Sequence, residues 1–389
     1  MKHLVNVVVL GMSLFAFGQQ KQGNDSLTNP LIPVEKQNLL PDLDLVFFMR
    51  YALDSDIGES KFTSSRFNGN ELRLDLSAKV HDRVGVRFRH RFTAPPSTGT
   101  LDHVNSTVDI AFVDVKATEK LNVTLGKLSA DWGGYEYDLN PIEVLAYNDI
   151  LSHSENYMVG FGMGYQINEK HRVTGQVLNA STSKLKDIST MTIPDRLEET
   201  KVPLAFVGNW RGSFWHNQFQ TSYSYSYFSQ AKNKGMYYIA LGNKLQRTNW
   251  IWMYDFQYSH DALDTRGIMS AMFPEEHPIM AEQVSYIDHW TRVDYSFFSK
   301  LTLSLTLMTS GAYVKNTAVE SKGNKHVRTT YGVIPTVQYC PFKKLDLRFY
   351  AAYVGRWSKN SSYAKEEFSQ VNDNTGRISI GFITPLHVL

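Results

Sequence analysis

An alternation of apolar and polar residues runs through this chain almost without a break from residue 45 to its end. In residues 301–307 leucine occupies every second position, and Thr or Ser fills the positions between. This period of two predicts β-strands with one apolar face and one polar face. About sixteen such segments follow one another, and no apolar run after residue 18 approaches the roughly twenty residues of a membrane-spanning helix. The sequence therefore predicts an all-β protein.

The connections between these segments are of two kinds, and they alternate. Short turns are predicted near positions 82, 119, 169, 211, 247, 299 and 343. Long polar connections are predicted near positions 60, 98, 140, 190, 231, 271, 320 and 365. An even number of strands, with short turns at one end and long loops at the other, is the organisation of an outer-membrane β-barrel. A soluble sandwich or propeller also alternates, but we expect similar loops at both its ends, and no fixed repeat marks propeller blades.

Aromatic residues crowd the predicted short-turn ends of the strands. They are Trp210, Phe214, Trp215, Trp250, Trp252, Phe297, Phe298 and Phe342. Tyr and Trp rings favour the level of the lipid headgroups because they are amphipathic. We therefore expect a periplasmic-side aromatic girdle, with outer-membrane lipid around the barrel.

The N-terminus has the features of a cleaved secretory signal. Lys2 and His3 precede the apolar run Leu4–Phe17, and small residues stand at the expected cleavage site. The predicted division is a signal peptide at 1–18, a periplasmic lead-in at 19–44 and the barrel at 45–389. The predicted location is the outer membrane of a Gram-negative cell.

Composition and motifs argue against several classes of function. The net charge is only +2, which does not indicate a nucleic-acid surface. The single cysteine, Cys340, cannot form an intramolecular disulfide. The chain has no G-x-S-x-G, H-E-x-x-H, Walker or EF-hand motif, so no enzyme, metal or cofactor is predicted. Ser152 and His153 are adjacent, and on a strand neighbouring side chains point apart, which makes them a poor catalytic dyad.

A long insert, residues 128–156, separates the fifth and sixth segments. It is too long for an ordinary hairpin loop, and we expect it to fold into the mouth of the barrel and narrow it. The residues expected at this constriction are Asp131, Trp132, Gly133, Gly134, Tyr135, Glu136, Asp138 and Asn140. The paired glycines permit positive φ, and Trp132 can wedge the loop against the wall. We favour this structural role for residues 131–134 over contact with solute.

The phrase that runs from Gly126 and Lys127 through Asp131 to Pro141 resembles the phosphate-selective porin O and P family. The resemblance implies a sixteen-stranded barrel, usually a homotrimer, with the third long loop folded inward. Members of that family pass phosphate or pyrophosphate along basic side chains. After Lys127, however, this loop is acidic, and its carboxylates are Asp131, Glu136, Asp138, Glu143, Asp149 and Glu155.

Arginines stand on the polar faces of the first three and last two segments. The predicted pore-lining set is Arg50, Arg73, Arg87, Arg89, Arg91, Arg348 and Arg377. Closure of a barrel places its last strand beside its first, so these side chains share one sector of wall. One hypothesis is a transverse field between wall arginines and loop carboxylates. In the alternative, these charges form ion pairs with each other across strands; they then neutralise each other inside the lumen and do not act on the solute.

The expected function is passive diffusion of small hydrophilic or ionic solutes, with anions such as phosphate among them, through a water-filled barrel. A surface adhesin or a structural barrel without an open channel is the alternative, because the long loops are polar and rich in Asn and Ser. No cofactor and no nucleic acid are expected as partners.

Overall fold

The computed structural model describes residues 42–59, 61–94, 102–185, 193, 196–273, 280–316 and 325–388. The predicted signal peptide and residues 19–41 of the predicted lead-in lie outside this part of the chain. Within it, none of the helices has both the length and the apolar content needed to cross a bilayer.

The described chain forms sixteen antiparallel strands that close into a barrel, as predicted. The strands are β1 (Leu43–Gly58), β2 (Lys61–His81), β3 (Val84–Arg91), β4 (Val108–Lys116), β5 (Leu121–Ser129), β6 (Tyr157–Asn168), β7 (His171–Asn179), β8 (Leu204–Phe214), β9 (Phe219–Ala231), β10 (Lys234–Gln246), β11 (Trp250–Leu263), β12 (Glu282–Phe298), β13 (Leu301–Asn316), β14 (Lys325–Tyr339), β15 (Arg348–Asn360) and β16 (Asp373–His387). Each strand pairs with its neighbours in sequence, and β1 pairs with β16. Closure matters in lipid because no unpaired strand edge is left.

Short helical elements lie in the connections. They are α1 (Tyr135–Asp138), α2 (Asp149–Ser152), α3 (Ser362–Glu367) and the 3₁₀ turns Pro141–Glu143 and Ser270–Met272.

The alternating pattern sorts side chains between the two faces of the barrel wall. On β13 the side chains of Leu303, Leu305 and Leu307 are exposed on the outside, whereas Ser304 and Thr306 are buried. At the predicted girdle, four aromatic residues are at least half exposed, and these are Trp215, Phe297, Phe298 and Phe342. The outer face is therefore suited to lipid.

Three predicted connections differ in the structure. The connections near 60 and 231 are short, because β1 and β2 extend to Gly58 and Lys61 and only Lys232 and Asn233 separate β9 from β10. The predicted turn near 211 lies inside β8, and the chain turns instead at 215–218. The strict alternation of short and long connections is therefore wrong at two positions. The Ser, Thr and Asn residues around the connections near 60 and 231 are typical of loops, but in the structure they belong to paired strands.

The alternation of apolar and polar residues is blurred around Val113–Val115, which predicts a β-bulge there, but the structure has the bulge earlier on β4. The pairing between β3 and β4 shifts beside Arg89, and Asp109 is the extra residue. The bulge turns the carboxylate of Asp109 toward arginines of the inner face. An irregularity of this kind re-aims a side chain without ending the strand.

Apolar side chains fill much of the interior beside β8–β15, which we call the packed wall. Here Trp132 of the insert packs with Phe228, Tyr238 and Tyr286 of the strands. The connections that follow β11 and β15 add their own apolar residues, and the rings of Phe273 and Phe368 lie 5.0 Å apart. The inner face of β1–β4, which we call the charged wall, instead carries arginines and carboxylates.

Candidate functional site

The insert lies inside the barrel, as predicted, and we call residues 130–156 the constriction loop. Its two ends meet where the Ala130 N–H donates to the carbonyl of Asn156 at 3.0 Å. Trp132 is only 1% exposed, and its ring lies 4.7 Å from the ring of Tyr238 and 5.4 Å from that of Phe228. The Trp132 carbonyl also accepts a hydrogen bond from Ser224. The first turn of the loop is thus packed against the packed wall.

The start of α1 docks on one carboxylate of β11. The N–H groups of Tyr135 and Glu136 donate to the two oxygens of Asp255 at 2.9 and 2.7 Å. Gly134 has a φ of −97°, so the predicted positive φ is wrong for this glycine. A Cβ at Gly134 would lie 2.5 Å from the Asp255 carboxyl, and one at Gly242 would lie 2.9 Å from the Cα of Gly134. Close approach, rather than backbone freedom, requires glycine here.

Glu136 is a buried carboxylate that closes the loop on itself. It accepts hydrogen bonds from the Asn148 N–H at 2.6 Å and from Gln257 Nε2 at 2.9 Å. Burial raises the pKa of Glu136 well above its usual value; the hydrogen bond from Asn148 opposes that rise, and the nearby carboxylates of Asp255 and Asp288 add to it. A carboxylate without a cationic partner in such a place favours its protonated form.

The second helical turn, α2, is held on the same side of the barrel. The Ile150 N–H donates to Asp288 of β12 at 2.9 Å. Asp149 forms ion pairs with Arg328 at 2.8 Å and with Arg356. Both ends of the loop's helical part are therefore tied to strands of the packed wall.

Three of the predicted pore-lining arginines contact the loop between its helical turns. Arg50 donates to the carbonyls of Pro141, Ile142 and Val144 at 3.2, 3.1 and 2.6 Å. Arg377 donates to the Leu145 carbonyl at 2.8 Å. Arg348 pairs with Glu143 at 3.0 Å.

The acidic residues at the start of the loop face β8. Arg211 Nη2 lies 2.7 Å from Asp131 and 3.0 Å from Asp138. Asn140 caps the 3₁₀ turn, since its side chain accepts the Ile142 N–H at 3.2 Å. Sequence reasoning missed Arg211 because it placed a turn there; the alternation of β8 across residues 204–214 was the signal that could have found it.

The other four predicted arginines, Arg73, Arg87, Arg89 and Arg91, lie together on the charged wall and form the arginine cluster. Asp109 faces three of them, with Arg73 Nη1 at 2.9 Å and the Nε atoms of Arg89 and Arg91 at 3.5 Å. The side chains of Arg87 and Arg91 are 41% and 33% exposed. The cluster is thus partly open to the lumen.

Two further carboxylates partner the arginine cluster. Glu71 pairs with Arg73 at 2.8 Å, and Asp75 pairs with Arg87 at 2.7 Å. Together with Asp109, three carboxylates form ion pairs with the four guanidinium groups, so the ion-paired groups carry one more positive than negative charge; Asp44, in the cavity beside Arg87, also attracts that guanidinium.

Tyrosines, rather than loop carboxylates, adjoin the arginine cluster. The guanidinium of Arg89 lies 5.0 Å from the centre of the Tyr157 ring. Tyr137 reaches the same region, and its hydroxyl contacts Ser129 at 2.5 Å. Among the hydrogen bonds and ion pairs of the described residues, none of the six loop carboxylates contacts the cluster. Cross-strand pairs such as Arg87–Asp75 and loop-to-wall pairs such as Arg348–Glu143 both occur.

A cavity of about 650 Å³ opens beside the charged wall at the short-turn end of the barrel. Its charged lining residues are Asp42, Asp44, Lys79, Arg87, Asp114 and Arg172. Because Arg87 belongs to both the cavity lining and the arginine cluster, solvent from this end reaches the cluster.

Ser152 and His153 lie at the end of α2 rather than on a strand, so the expectation that their side chains point apart is wrong. Ser152 Oγ and His153 Nδ1 are 2.7 Å apart. Both atoms also lie within hydrogen-bond distance of the Asp149 carbonyl, at 3.2 and 3.0 Å. This contact caps a short helix, where last-turn carbonyls lack partners of their own.

Comparison with solved structures finds barrels of the same kind. The outer membrane channel DcaP of Acinetobacter baumannii is 13% identical, with a TM-score of 0.59 over 88% of this chain and 97% of that chain. An anion-selective porin from Comamonas acidovorans is 7% identical, with a TM-score of 0.54 over 88% and 99%. OmpF of Salmonella typhi is 12% identical, with a TM-score of 0.53 over 88% and 97%. At these identities the likeness concerns the fold.

A search of curated protein sequences finds no match. A family model, described as phosphate-selective porin O and P, matches residues 51–383, which is most of the chain. The sixteen-stranded barrel, the inward loop and this match agree, and the chain therefore belongs to the phosphate-selective porin O and P family, whose place is the Gram-negative outer membrane and whose role is diffusion of solutes through a channel.

Proposed function

We propose that this porin passes small anions, inorganic phosphate among them, along the charged wall, between the arginine cluster and the tyrosines beside it. The observation that carries the proposal is the excess positive charge around Asp109. The packed wall is unsuited to a water path because apolar side chains fill the interior beside it. The cavity at the short-turn end lies on the other side and reaches Arg87.

The chemistry of the cluster fits this selectivity. Arginine stays charged at every working pH, and its planar fork matches the oxygens of phosphate and carboxylate. Conduction requires an ion site that is attractive enough to enter and weak enough to leave. Glu71, Asp75 and Asp109 moderate the arginines in this way, because they offset most but not all of the positive charge.

The seven predicted arginines divide into two roles under this proposal. The arginine cluster lines the path of the solute. Arg50, Arg348 and Arg377 act mainly as ties for the loop, since their donors are engaged by loop carbonyls and by Glu143. Loop residues 131–140 shape the constriction, and Asp131 and Asp138 share the single guanidinium of Arg211.

Reversal potentials in a KCl gradient across a planar bilayer test the proposal. The wild-type channel should prefer chloride, and phosphate should reduce its chloride current. Removal of a guanidinium about 4 Å from a passing anion costs on the order of 1 kcal/mol, or about fivefold in permeability ratio. The variant R87Q/R89Q/R91Q should therefore shift strongly toward cations.

The matched control is R66Q, because Arg66 lies on β2 with a side chain 66% exposed, away from the arginine cluster. Its selectivity should equal that of the wild type. An unchanged reversal potential in the triple variant contradicts the anion path. A folded barrel that conducts no current at all would favour the adhesin or structural alternative.

The chain's processing and assembly are further proposals that rest on the sequence and the family. N-terminal sequencing of the exported protein should begin near Gln19 if residues 1–18 are a signal peptide. Chemical cross-linking in native membranes should give a ladder that ends at three subunits if the protein is a homotrimer. A ladder that ends at one or two contradicts the trimer.

A further inference from the structure

We propose that Asp255 and Asp288, on neighbouring strands of the packed wall, are positioning residues that fix the constriction loop and thereby set the width of the channel. The proposal concerns the position of the loop and does not depend on which ions the channel prefers.

The two carboxylates receive the first N–H groups of the loop's two helical turns. Asp255 takes one N–H on each oxygen, from Tyr135 and Glu136 at the start of α1. Asp288 takes the Ile150 N–H near the start of α2 at 2.9 Å. The first N–H groups of a helix have no partner within it, so an acceptor on the wall satisfies them.

These carboxylates belong to a polar strip on an otherwise apolar wall. Gln257 is paired across strands with Asp288 and stands two residues after Asp255, and it donates to Glu136 of the loop. All three wall side chains, Asp255, Gln257 and Asp288, are 0% exposed. A buried carboxylate is costly unless its oxygens are hydrogen-bonded. The buried carboxylates of the strip therefore need the N–H groups of the loop as donors, and those N–H groups need the carboxylates as acceptors.

The backbone around Asp255 is shaped for this contact. Gly242 of β10 is the cross-strand partner of Asp255. A Cβ at Gly242 would lie 2.8 Å from the Asp255 carboxylate and 2.9 Å from the Cα of Gly134. The backbones of Gly242 and Gly134 and the side chain of Asp255 thus meet at a spacing that only glycine allows at positions 134 and 242. The loop backbone can therefore dock at only one position here.

The ties that Arg348 of β15 and Arg377 of β16 make to residues 143–145 of the loop differ in kind. Arg348 and Arg377 are 17% and 31% exposed, and their long side chains hold the loop from a distance. A short, buried carboxylate fixes a backbone position more tightly than a flexible arginine does, because fewer rotatable bonds lie between wall and loop. Loss of the aspartates should therefore free the helical turns while the barrel persists.

Single-channel recording of D255N/D288N in planar bilayers tests the proposal. The wild-type channel should show one main conductance level. The double variant should show several interconverting conductance levels and a several-fold rise in open-channel noise, because the loop leaves its docked position on the packed wall. Heat-modifiable mobility on a gel checks that the barrel has folded.

The matched control is D54N. Asp54 is also a buried wall carboxylate, but it accepts its hydrogen bonds from Asn68, Asn70 and Ser379 of the wall, and its ion pair with Arg377, at 4.0 Å, is separate from the bond that Arg377 donates to the Leu145 carbonyl. D54N should keep one level and wild-type noise. A folded D255N/D288N channel with one quiet level would overturn the proposal, as would D54N noise equal to that of the double variant.

A second variant covers the case in which the double variant does not fold. Gly242→Ala keeps every charge and both carboxylates, yet its Cβ pushes against Gly134. It should produce the same conductance levels and noise as the double variant. A quiet single level in folded Gly242→Ala would also overturn the proposal.

Discussion

The packed wall and the charged wall are built from the same alternating pattern, yet their inner faces have opposite uses. On the packed wall, Tyr238, Tyr286 and Trp290 are buried inside the barrel. On the charged wall, Arg73 and Asp109 occupy the corresponding face. The outer faces are alike because both meet lipid. A barrel thus divides its lumen by the chemistry of its inner residues while its strand pattern stays constant.

Buried carboxylates show the same contrast. On the packed wall, Asp255 and Asp288 accept backbone N–H groups of the loop. On the charged wall, Asp75 and Asp109 pair with arginines that remain partly in contact with water. One side therefore holds the loop backbone, and the other side carries partly exposed charge. Under the proposed function, the docked side of the loop lies across the lumen from the anion path.

The largest expected effect is loss of the tryptophan that joins loop to packed wall. Trp132→Ala removes a buried ring that packs on Phe228 and Tyr238. Such a truncation costs about 3–5 kcal/mol. We expect a clear fall in the midpoint of denaturant unfolding. Trp215→Ala is the control, since Trp215 is 65% exposed, and it should change the midpoint little. Equal effects of the two variants would contradict the packed role of Trp132.

A smaller effect should follow on the charged wall from Asp109→Asn. Loss of this carboxylate leaves Arg73, Arg89 and Arg91 less neutralised. An added attraction on the order of 1 kcal/mol raises chloride preference about fivefold, and phosphate should block at lower concentration. Reversal potentials and phosphate titration measure both. Asp56→Asn is the control, because Asp56 pairs with Arg66, away from the arginine cluster and from the cavity lining.

The barrel and the inward loop are predictable because their signals are local in sequence. Alternation over residues 301–307 identifies a strand by itself, and an insert of the length of 128–156 stands out against short turns. The two missed hairpins, near 60 and 231, fail for a local reason too. Their polar residues have loop-like composition, and only pairing with the neighbouring strand shows that they are extended.

The anchors of the loop are not predictable in this way. Asp255 lies between Tyr254 and Phe256 on the polar face of a strand, where sequence reasoning expects a water-exposed lumen residue. Its burial depends on Gly134, more than a hundred residues earlier in the chain. Arg211 was hidden by a following glycine that resembles a turn. Long-range contacts of this kind leave no periodic signal in one sequence.

The stability of the docked loop on the packed wall should depend on pH, because the buried carboxyl of Glu136 titrates. Glu136 faces Asp255 on β11, Asp288 on β12, Tyr238 on β10 and Tyr147 of the loop. Its pKa is raised in the docked loop, so docking takes up a proton as the pH falls. The free-energy penalty for burying a charged Glu136 is complete when the pH lies above the raised pKa. This penalty disappears as the pH falls toward the ordinary pKa of about 4.3. The docked loop is therefore more stable at low pH.

Open-channel noise from pH 8 to pH 5 measures this effect. In the wild type the noise should fall as the pH falls, and each unit of pKa shift contributes about 1.4 kcal/mol. Glu136→Gln should show a weaker dependence, because its amide stays neutral while Gln257 can turn to present its own oxygen. A dependence equal to that of the wild type would assign the titration to other groups.

The smallest expected effect concerns Asn140, whose side chain caps the 3₁₀ turn of the constriction loop. Asn140 accepts the Ile142 N–H at the start of the 3₁₀ turn, and the carbonyl of Ile142 is held by Arg50. Asn140→Ala should cost about 1 kcal/mol or less, as loss of a cap does, because Arg50 still holds the turn through three carbonyls. The unfolding midpoint should shift slightly and selectivity should stay constant. In an R50Q background the same substitution should cost more, since the turn then loses both supports; purely additive effects would show that cap and arginine act independently.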